Sequence, residues 1–169
     1  MSAPRPLTPA DAHAYCALRR AMILDTPHAF LGAPGDDDAS DPTIVAARLA
    51  EPDNAILAID HPDEPGRLIA VAGIARMRRI KTRHRALIWG VYCDPDHRRR
   101  GHARAVTRAA IDIARAWRTV TIVTLSASAD APAAIALYES LGFERWGFEP
   151  DVVRIDGVSC DEVHMALTL

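Results

Sequence analysis

The chain has 169 residues, of which 49% are hydrophobic and 25% are charged, and its formal net charge at pH 7 is −2. This length and composition are typical of one soluble globular domain, so we expect residues 1–169 to form a single domain. The near-neutral charge argues against bulk attraction to nucleic acid, and no apolar run approaches the roughly 18 residues of a membrane span.

Cysteine and histidine usage favours a cytoplasmic protein without a metal site. The 3 cysteines are an odd number without metal-type spacing, which is typical of a reducing compartment and not of a disulfide framework. The 7 histidines show no HxxxH or cysteine-paired spacing, so we expect no bound metal. The N-terminus also lacks the apolar segment of a secretory signal.

The first half of the chain predicts two helices and a pair of strands. Thr8 is a favourable N-cap and Pro9 a favourable first helical residue. We interpret the acidic triplet Asp36–Asp38 as part of a solvated loop, with attraction of a cationic amine as the alternative. The predicted elements are a helix from Pro9 to about Asp25, a loop over 32–41, a helix from Pro42 to about Glu51, and strands over 54–60 and 68–77.

A basic stretch follows the second of these strands, with arginines or lysine at six positions between Arg76 and Arg85. We interpret it as a solvated connection between two strands, because no aromatic residue is interleaved for base stacking. The alternative is an RNA-associated protein, which would bind a polynucleotide with steep salt dependence.

The junction over 91–103 is the best place in the sequence to look for function. Apolar residues over 86–93 predict a buried strand, Asp94-Pro95 ends it, and Gly101 begins an amphipathic helix. The first amides of such a helix have no intrahelical acceptor and carry partial positive charge, which suits a phosphate. The three arginines Arg98–Arg100 stand directly before it, so the junction predicts a diphosphate site.

The second half of the chain continues the strand–helix–strand order, which implies a right-handed crossover and a partly parallel sheet. Asp156-Gly157 is a favourable hairpin turn. The predicted elements are a strand over 119–125, a helix from Pro132 to Gly142, one strand over 143–148 and 152–155 that is interrupted or bent near Gly147 and Pro150, and a last strand over 158–167.

Two sequence blocks resemble the GNAT superfamily of acyl-CoA-dependent N-acyltransferases. Arg98-x-x-Gly101-x-Ala103 matches its (Q/R)xxGx(G/A) signature, and residues 133–143, with Leu137-Tyr138 and Gly142-Phe143, are similar to its later helix. Residues 5–11 and 27–30 also resemble its N-terminal region. The resemblance implies one N-acetyltransferase domain over 1–169 with the α/β GNAT fold, a mixed twisted sheet with a splayed central strand pair and helices on both faces.

The same resemblance assigns the cofactor contacts and one catalytic residue. It implies acetyl-CoA as the acyl donor and main-chain contacts of Val91, Tyr92 and Cys93 to the pantetheine arm. Tyr138 is the candidate general acid for the departing thiolate, because an ordinary phenol pKa of about 10 is close to a thiol pKa of about 8.5. The residues expected around the pyrophosphate are Arg98, Arg99, Arg100, Gly101, His102, Ala103 and Arg104.

Three positions depart from the superfamily pattern. Leu87 and Ser126 stand where members carry a glutamate base, and Ala131 replaces an asparagine that contacts the pantetheine. A missing base favours an acceptor amine of low pKa or a water relay to another side chain. The candidates for that relay are Glu144, Asp161, Glu162, His84 and His164.

We therefore expect an N-acetyltransferase that passes acetyl directly, in a ternary complex, to a primary amine of a small molecule or of a peptide or protein. The alternative is a catalytically degenerate acyl-CoA-binding sensor or interaction module. A ping-pong route through Cys93 has little support, because no activating partner for the thiol can be assigned. Homodimerisation is common in the superfamily and is kept as an expectation, with no interface assigned.

Overall fold

The structure is a computed structural model that describes residues 3–169. This part of the chain contains seven strands and four α-helices. The strands are β1 (Arg5–Pro6), β2 (Asn54–Asp60), β3 (Leu68–Arg76), β4 (Arg85–Cys93), β5 (Ile122–Ser128), β6 (Glu144–Ile155) and β7 (Val158–Thr168). The helices are α1 (Ala12–Asp25), α2 (Pro42–Leu49), α3 (His102–Ala116) and α4 (Pro132–Glu139).

All seven strands belong to one mixed sheet in the order β1-β2-β3-β4-β5-β7-β6. The pair β4–β5 is parallel, and the other neighbouring pairs are antiparallel. The predicted mixed sheet is therefore confirmed. The parallel pair needs a crossover connection, and α3 supplies it.

Hydrophobic cores on the two faces of the sheet confirm that helices cover both sides. On one face, buried residues of α3 and α4 such as Val106, Ala110 and Ile135 pack with Val123 of β5. On the other face, α1 and α2 pack against β2 and β3, with Met22 fully buried. No helix within residues 3–169 has the length and apolar character that crossing a membrane requires.

The structure corrects two element boundaries. The N-terminal helix opens with a 3-10 turn at Pro9–Asp11 before α1 begins. Strand β5 starts at Ile122 and not near 119, because Val120 donates from its amide to the Trp117 carbonyl in a turn that closes α3. The single strand predicted with irregularities near Gly147 and Pro150 is confirmed, because β6 spans 12 residues and its register against β7 shifts between Arg145 and Gly147 and again between Glu149 and Val153.

Two charged segments turn out to be partly structural. In the basic stretch, Arg76 and Arg83 pair with Asp53, and Arg78 pairs with Glu51. In the acidic loop, Asp37 is not solvated. Its carboxylate accepts two hydrogen bonds from the buried Arg19 guanidinium, at 3.0 and 2.9 Å, so this pair fixes the loop against α1.

Candidate active site

The centre of the sheet opens where β4 and β5 separate. Their parallel ladder joins Arg85–Leu87 to Ile122–Thr124 and has no pair beyond Leu87 and Thr124. The rest of β4 therefore has main-chain groups facing a gap instead of a neighbouring strand. Such groups can bind an extended ligand as an added strand would.

A β-bulge at Gly90 accompanies this separation. Val71 pairs with Tyr92 and Gly73 with Trp89, so Ala72 faces both Gly90 and the next β4 residue. The bulge places Gly90 at φ +61°, a left-handed conformation that glycine adopts without strain. The sequence interpretation missed this feature, although an isolated glycine in an apolar strand is its usual signal.

A cavity of about 80 Å³ lies in the gap between the two strands. It brings together residues from the α1–α2 loop, from β4, from β5 and from α4. Its lining is Ala29, Phe30, Ile88, Trp89, Gly90, Val91, Leu125, Ser126, Ala127, Ser128, Ala131, Ala134 and Tyr138. Four of the residues singled out from the sequence, Val91, Ser126, Ala131 and Tyr138, thus line the same space.

Tyr138 reaches this cavity from α4. Its side chain is 6% exposed, and burial raises the pKa of its phenol to about 12. The hydroxyl makes no hydrogen bond with any residue of 3–169. It is nevertheless not completely shielded from solvent by that part of the chain. It is therefore a protonated donor without a protein partner, on a residue that lines the cavity.

The loop between α1 and α2 closes one side of the cavity with Ala29 and Phe30. The Arg19 guanidinium lies 4.9 Å from the centre of the Phe30 ring. His28 Nδ1 lies 3.1 Å from the Cys160 thiol of β7. These contacts hold the loop over the sheet, next to the cavity.

The three β4 residues predicted to contact the pantetheine arm lie in different surroundings. Val91 lines the cavity, whereas Tyr92 points its ring into the core beneath α1. The Cys93 carbonyl accepts a 3.0 Å hydrogen bond from Arg98 Nε. Burial raises the pKa of the Cys93 thiol, so the thiolate that a ping-pong route needs is disfavoured.

The turn predicted to hold the pyrophosphate has two left-handed residues and a run of unbonded amides. Gly101 lies at φ +80° directly before α3, and Arg99 is also left-handed at φ +59°. The backbone amides over 99–104 donate to no acceptor within residues 3–169, and the first helical bond runs from Ala105 to the Gly101 carbonyl. A run of unbonded amides at a helix N-terminus binds anions.

The arginines around that turn divide into two groups. Arg98 pairs with Asp25, and Arg104 donates a 2.6 Å hydrogen bond to Ser140 at the end of α4. Arg99 and Arg100 are exposed and form no ion pair within the described range. Burial lowers the pKa of His102 at the first position of α3. The two exposed guanidiniums are thus available to an anionic ligand.

The three positions that depart from the superfamily pattern lie at the cavity or on a strand beside it. Ser126 and Ala131 line the cavity, where neither can supply a carboxylate or an amide. Leu87 lies in the last paired position of the β4–β5 ladder. The familiar base is therefore absent from both of its usual positions.

The relay candidates are separated by the fold. His84 precedes β4 at the paired end of the sheet, four residues before Ile88 of the cavity wall, which corresponds to about 13 Å along a strand. His164 instead lies on β7 directly opposite Ser126, and its Nε2 is 2.8 Å from Glu149 Oε2. The sequence did not single out Glu149. Groups of three or more metal-ligating side chains do not occur within the described residues.

Comparisons with known proteins identify the family to which this chain belongs. The model of the acetyltransferase (GNAT) family matches residues 19–143. The chain belongs to the GNAT family. The N-alpha-acetyltransferase RimI of Mycobacterium tuberculosis is 33% identical to this GNAT chain over 151 residues, which cover 89% of the chain and 84% of RimI.

Solved structures show the same fold at lower identity. The ribosomal-protein-alanine N-acetyltransferase of Brucella melitensis is 23% identical, with a TM-score of 0.81 and coverage of 98% of this chain and 99% of that one. YncA of Salmonella typhimurium, solved with acetyl-CoA, is 23% identical, with a TM-score of 0.83 and coverage of 100% and 94%. The predicted GNAT fold is confirmed.

The protein is thus an acyl-CoA-dependent N-acetyltransferase, with acetyl-CoA as its donor. The expected enzyme class and cofactor are confirmed. The alternative of a catalytically degenerate sensor gains no support from these comparisons. The roles of individual site residues stay predictions.

Proposed function

We propose that this GNAT enzyme transfers acetyl from acetyl-CoA to the α-amine at the N-terminus of a peptide or protein, directly and in a ternary complex. The observation that supports this acceptor is the 33% identity to an N-alpha-acetyltransferase across 89% of the chain. The acyl donor would lie in the gap between β4 and β5, with its pyrophosphate at the amides over 99–104.

The missing carboxylate base is consistent with an α-amine. At pH 7 a lysine amine of pKa about 10.4 is mostly protonated, and its neutral form costs about 4.6 kcal/mol. For an α-amine of pKa about 7.8 the same cost is only about 1 kcal/mol. With Leu87 and Ser126 at the usual glutamate positions, the site suits the amine that is easier to deprotonate.

Tyr138 would act where the thiolate leaves. The amine nitrogen forms a bond to the thioester carbon, the carbon–sulfur bond breaks, and one proton must pass from nitrogen to sulfur. Because the pKa of Tyr138 is about 12, it lies about 3.5 units above that of a thiol, which makes complete donation costly by about 5 kcal/mol. The phenol therefore donates a hydrogen bond to sulfur and gives up its proton only as another replaces it.

The preferred acceptor can be tested with three amines at equal concentration. One is a peptide with a free α-amine, the second is the same peptide acetylated at its N-terminus and carrying one lysine, and the third is a small primary amine. We expect thiol release from acetyl-CoA with the first peptide to exceed that with the other two by at least about 10-fold, with acetylation of the α-amine confirmed by mass spectrometry. Preference for the lysine peptide or the small amine would contradict the proposal.

A further inference from the structure

We propose that His164, held by Glu149, is the general base that deprotonates the acceptor amine. This inference rests on the proposed function and deepens it, because it assigns the group that replaces the missing carboxylate. It is carried by the juxtaposition of Ser126, His164 and Glu149 on three neighbouring strands beside the cavity.

The strand register places His164 next to the position where the base is missing. Ser126 of β5 pairs with His164 of β7 in the antiparallel ladder. Directly paired residues share one face of a sheet, with Cβ atoms about 4.5–5.5 Å apart. Since Ser126 lines the cavity, the imidazole lies one strand away from it and within reach of the amine through one water.

His164 lies on the face of the sheet opposite Tyr138, where an entering amine would be opposite the leaving thiolate. Leu125 packs into the core beneath α3 and α4, as does Tyr138. Ser126 and its partner His164 point to the opposite face, because side chains alternate along a strand. The phenol and the imidazole therefore approach the gap from opposite sides of the sheet, one near the leaving thiolate and the other near the entering amine.

A bulge in β6 creates the pair of His164 with Glu149. Arg145 pairs with Met165, and Gly147 pairs with His164, so Trp146 is an extra residue at this point of β6. The Trp146 ring lies 5.3 Å from the imidazole and covers it. The bulge also sets the register that brings the Glu149 carboxylate to 2.8 Å from His164 Nε2.

The hydrogen bond to Glu149 defines which nitrogen of His164 is basic. Nε2–H donates to the carboxylate, which leaves the lone pair on Nδ1, and Nδ1 has no hydrogen-bond partner in the described part of the chain. A histidine held by a carboxylate is a recurrent general base, because the carboxylate stabilises the imidazolium. The titratable side chains on this face near His164 are Glu149 from β6, Glu162 two residues earlier on β7, and His28 from the α1–α2 loop that packs on β5 and β6.

The proton balance of this step is simple. One proton leaves the acceptor ammonium and reaches His164 Nδ1 through a water, and the nitrogen lone pair that this frees forms the bond to the acetyl carbon. As the carbon–sulfur bond breaks, a second proton passes from the tetrahedral nitrogen to the thiolate by way of Tyr138, which ends the step protonated, and the imidazolium returns its own proton to solvent.

The test compares His164→Gln with His84→Gln, a matched loss of a histidine at the paired end of the sheet. Using the full chain with acetyl-CoA and an α-amine peptide, we expect His164→Gln to lower kcat at pH 7 by about 100-fold and to leave the KM for acetyl-CoA within about twofold. His84→Gln should keep the wild-type kcat. The His164–Glu149 pair is partly exposed, and such pairs add little to stability, so the variant should fold.

Two further readouts separate a base from a structural role. Above the pKa of the acceptor amine no base is needed to form the neutral amine, so the deficit of His164→Gln should shrink with rising pH to below about 10-fold. Glu149→Gln should lower kcat, Glu149→Asp should recover part of it, and the double variant with His164→Gln should be no worse than His164→Gln alone.

An active wild type together with an unchanged kcat in His164→Gln would overturn this inference and leave the proposed function intact. A deficit that is constant across pH would also overturn it. Failure of the wild type to acetylate any amine would instead overturn the proposed function, and the inference with it.

Discussion

Tyr138 and Tyr15 are two buried phenols whose pKa is raised to about 12 by burial, yet their surroundings differ. Tyr138 lines the cavity between β4 and β5, and its hydroxyl is not sealed from solvent. The Tyr15 hydroxyl lies under Gly90 of β4, and it is sealed from solvent without a hydrogen-bond partner within residues 3–169. The same substitution by phenylalanine should therefore change catalysis at Tyr138 and stability at Tyr15.

Tyr138→Phe should lower kcat by about 100-fold and change the dissociation constant of acetyl-CoA by less than about threefold, because the hydroxyl acts mainly as the thiolate leaves. Steady-state thiol release and calorimetric titration with acetyl-CoA measure the two effects. An unchanged kcat would refute the assignment of Tyr138.

Tyr15→Phe serves as the matched control and as a prediction of its own. Removing a buried hydroxyl without a partner removes its desolvation cost, so the free energy of unfolding should rise by about 1 kcal/mol while kcat stays near wild type. Urea unfolding gives the first quantity. A loss of stability would show that the Tyr15 hydroxyl has a partner, such as an internal water.

At the scale of elements, the junction from β4 to α3 was predictable because its signals are local. Asp94-Pro95 and Gly101 lie within a few residues of the strand end and helix start that they define. Tyr138 and the cavity could be paired only through a family resemblance. The pair of His164 with Glu149 depends on the strand order β5-β7-β6 and on a bulge at Trp146, which no local pattern contains.

Glycine at the start of α3 provides a test of the anion site with a close control. Gly101 and Gly157 both lie at φ +80°, and an added Cβ would meet nothing within 4 Å at either position. Alanine in this left-handed conformation costs about 1–2 kcal/mol, so Gly101→Ala and Gly157→Ala should destabilise the protein similarly.

Only Gly101→Ala should weaken acetyl-CoA binding, by about 10-fold, because relief of its strain turns the amides over 99–104 away from the pyrophosphate. Calorimetric titration of both variants checks this. Equal affinities for acetyl-CoA in the two variants would place the pyrophosphate elsewhere.

At the scale of the whole molecule, a charge network joins the N-terminal strand to the sheet. Arg5 donates to Asp11 at the start of the first helical region and to Asp60 at the end of β2. The hydrogen bonds from Arg5 lower the pKa of Asp11 to about 2, compared with about 3.9 in an unfolded chain. The ionised carboxylate thus contributes stability above pH 4 that is lost as the pH falls toward 2.

Asp11→Asn should therefore flatten the loss of stability between about pH 4 and pH 2 relative to wild type. Free energies of unfolding from urea titrations at several pH values measure the slope. Asp63→Asn is the control, because the Asp63 carboxylate accepts no hydrogen bond from the rest of the described chain, and it should keep the wild-type slope. Parallel profiles for wild type and Asp11→Asn would contradict the assigned role of the network.

Direct transfer at the β4–β5 gap is tested most directly by initial rates with acetyl-CoA and an α-amine peptide varied together. Attack on the thioester within a ternary complex predicts double-reciprocal lines that intersect and a peptide acetylated at its α-amine. Parallel lines would indicate an acyl-enzyme. Binding of acetyl-CoA without any acetylated peptide would contradict the proposed acceptor.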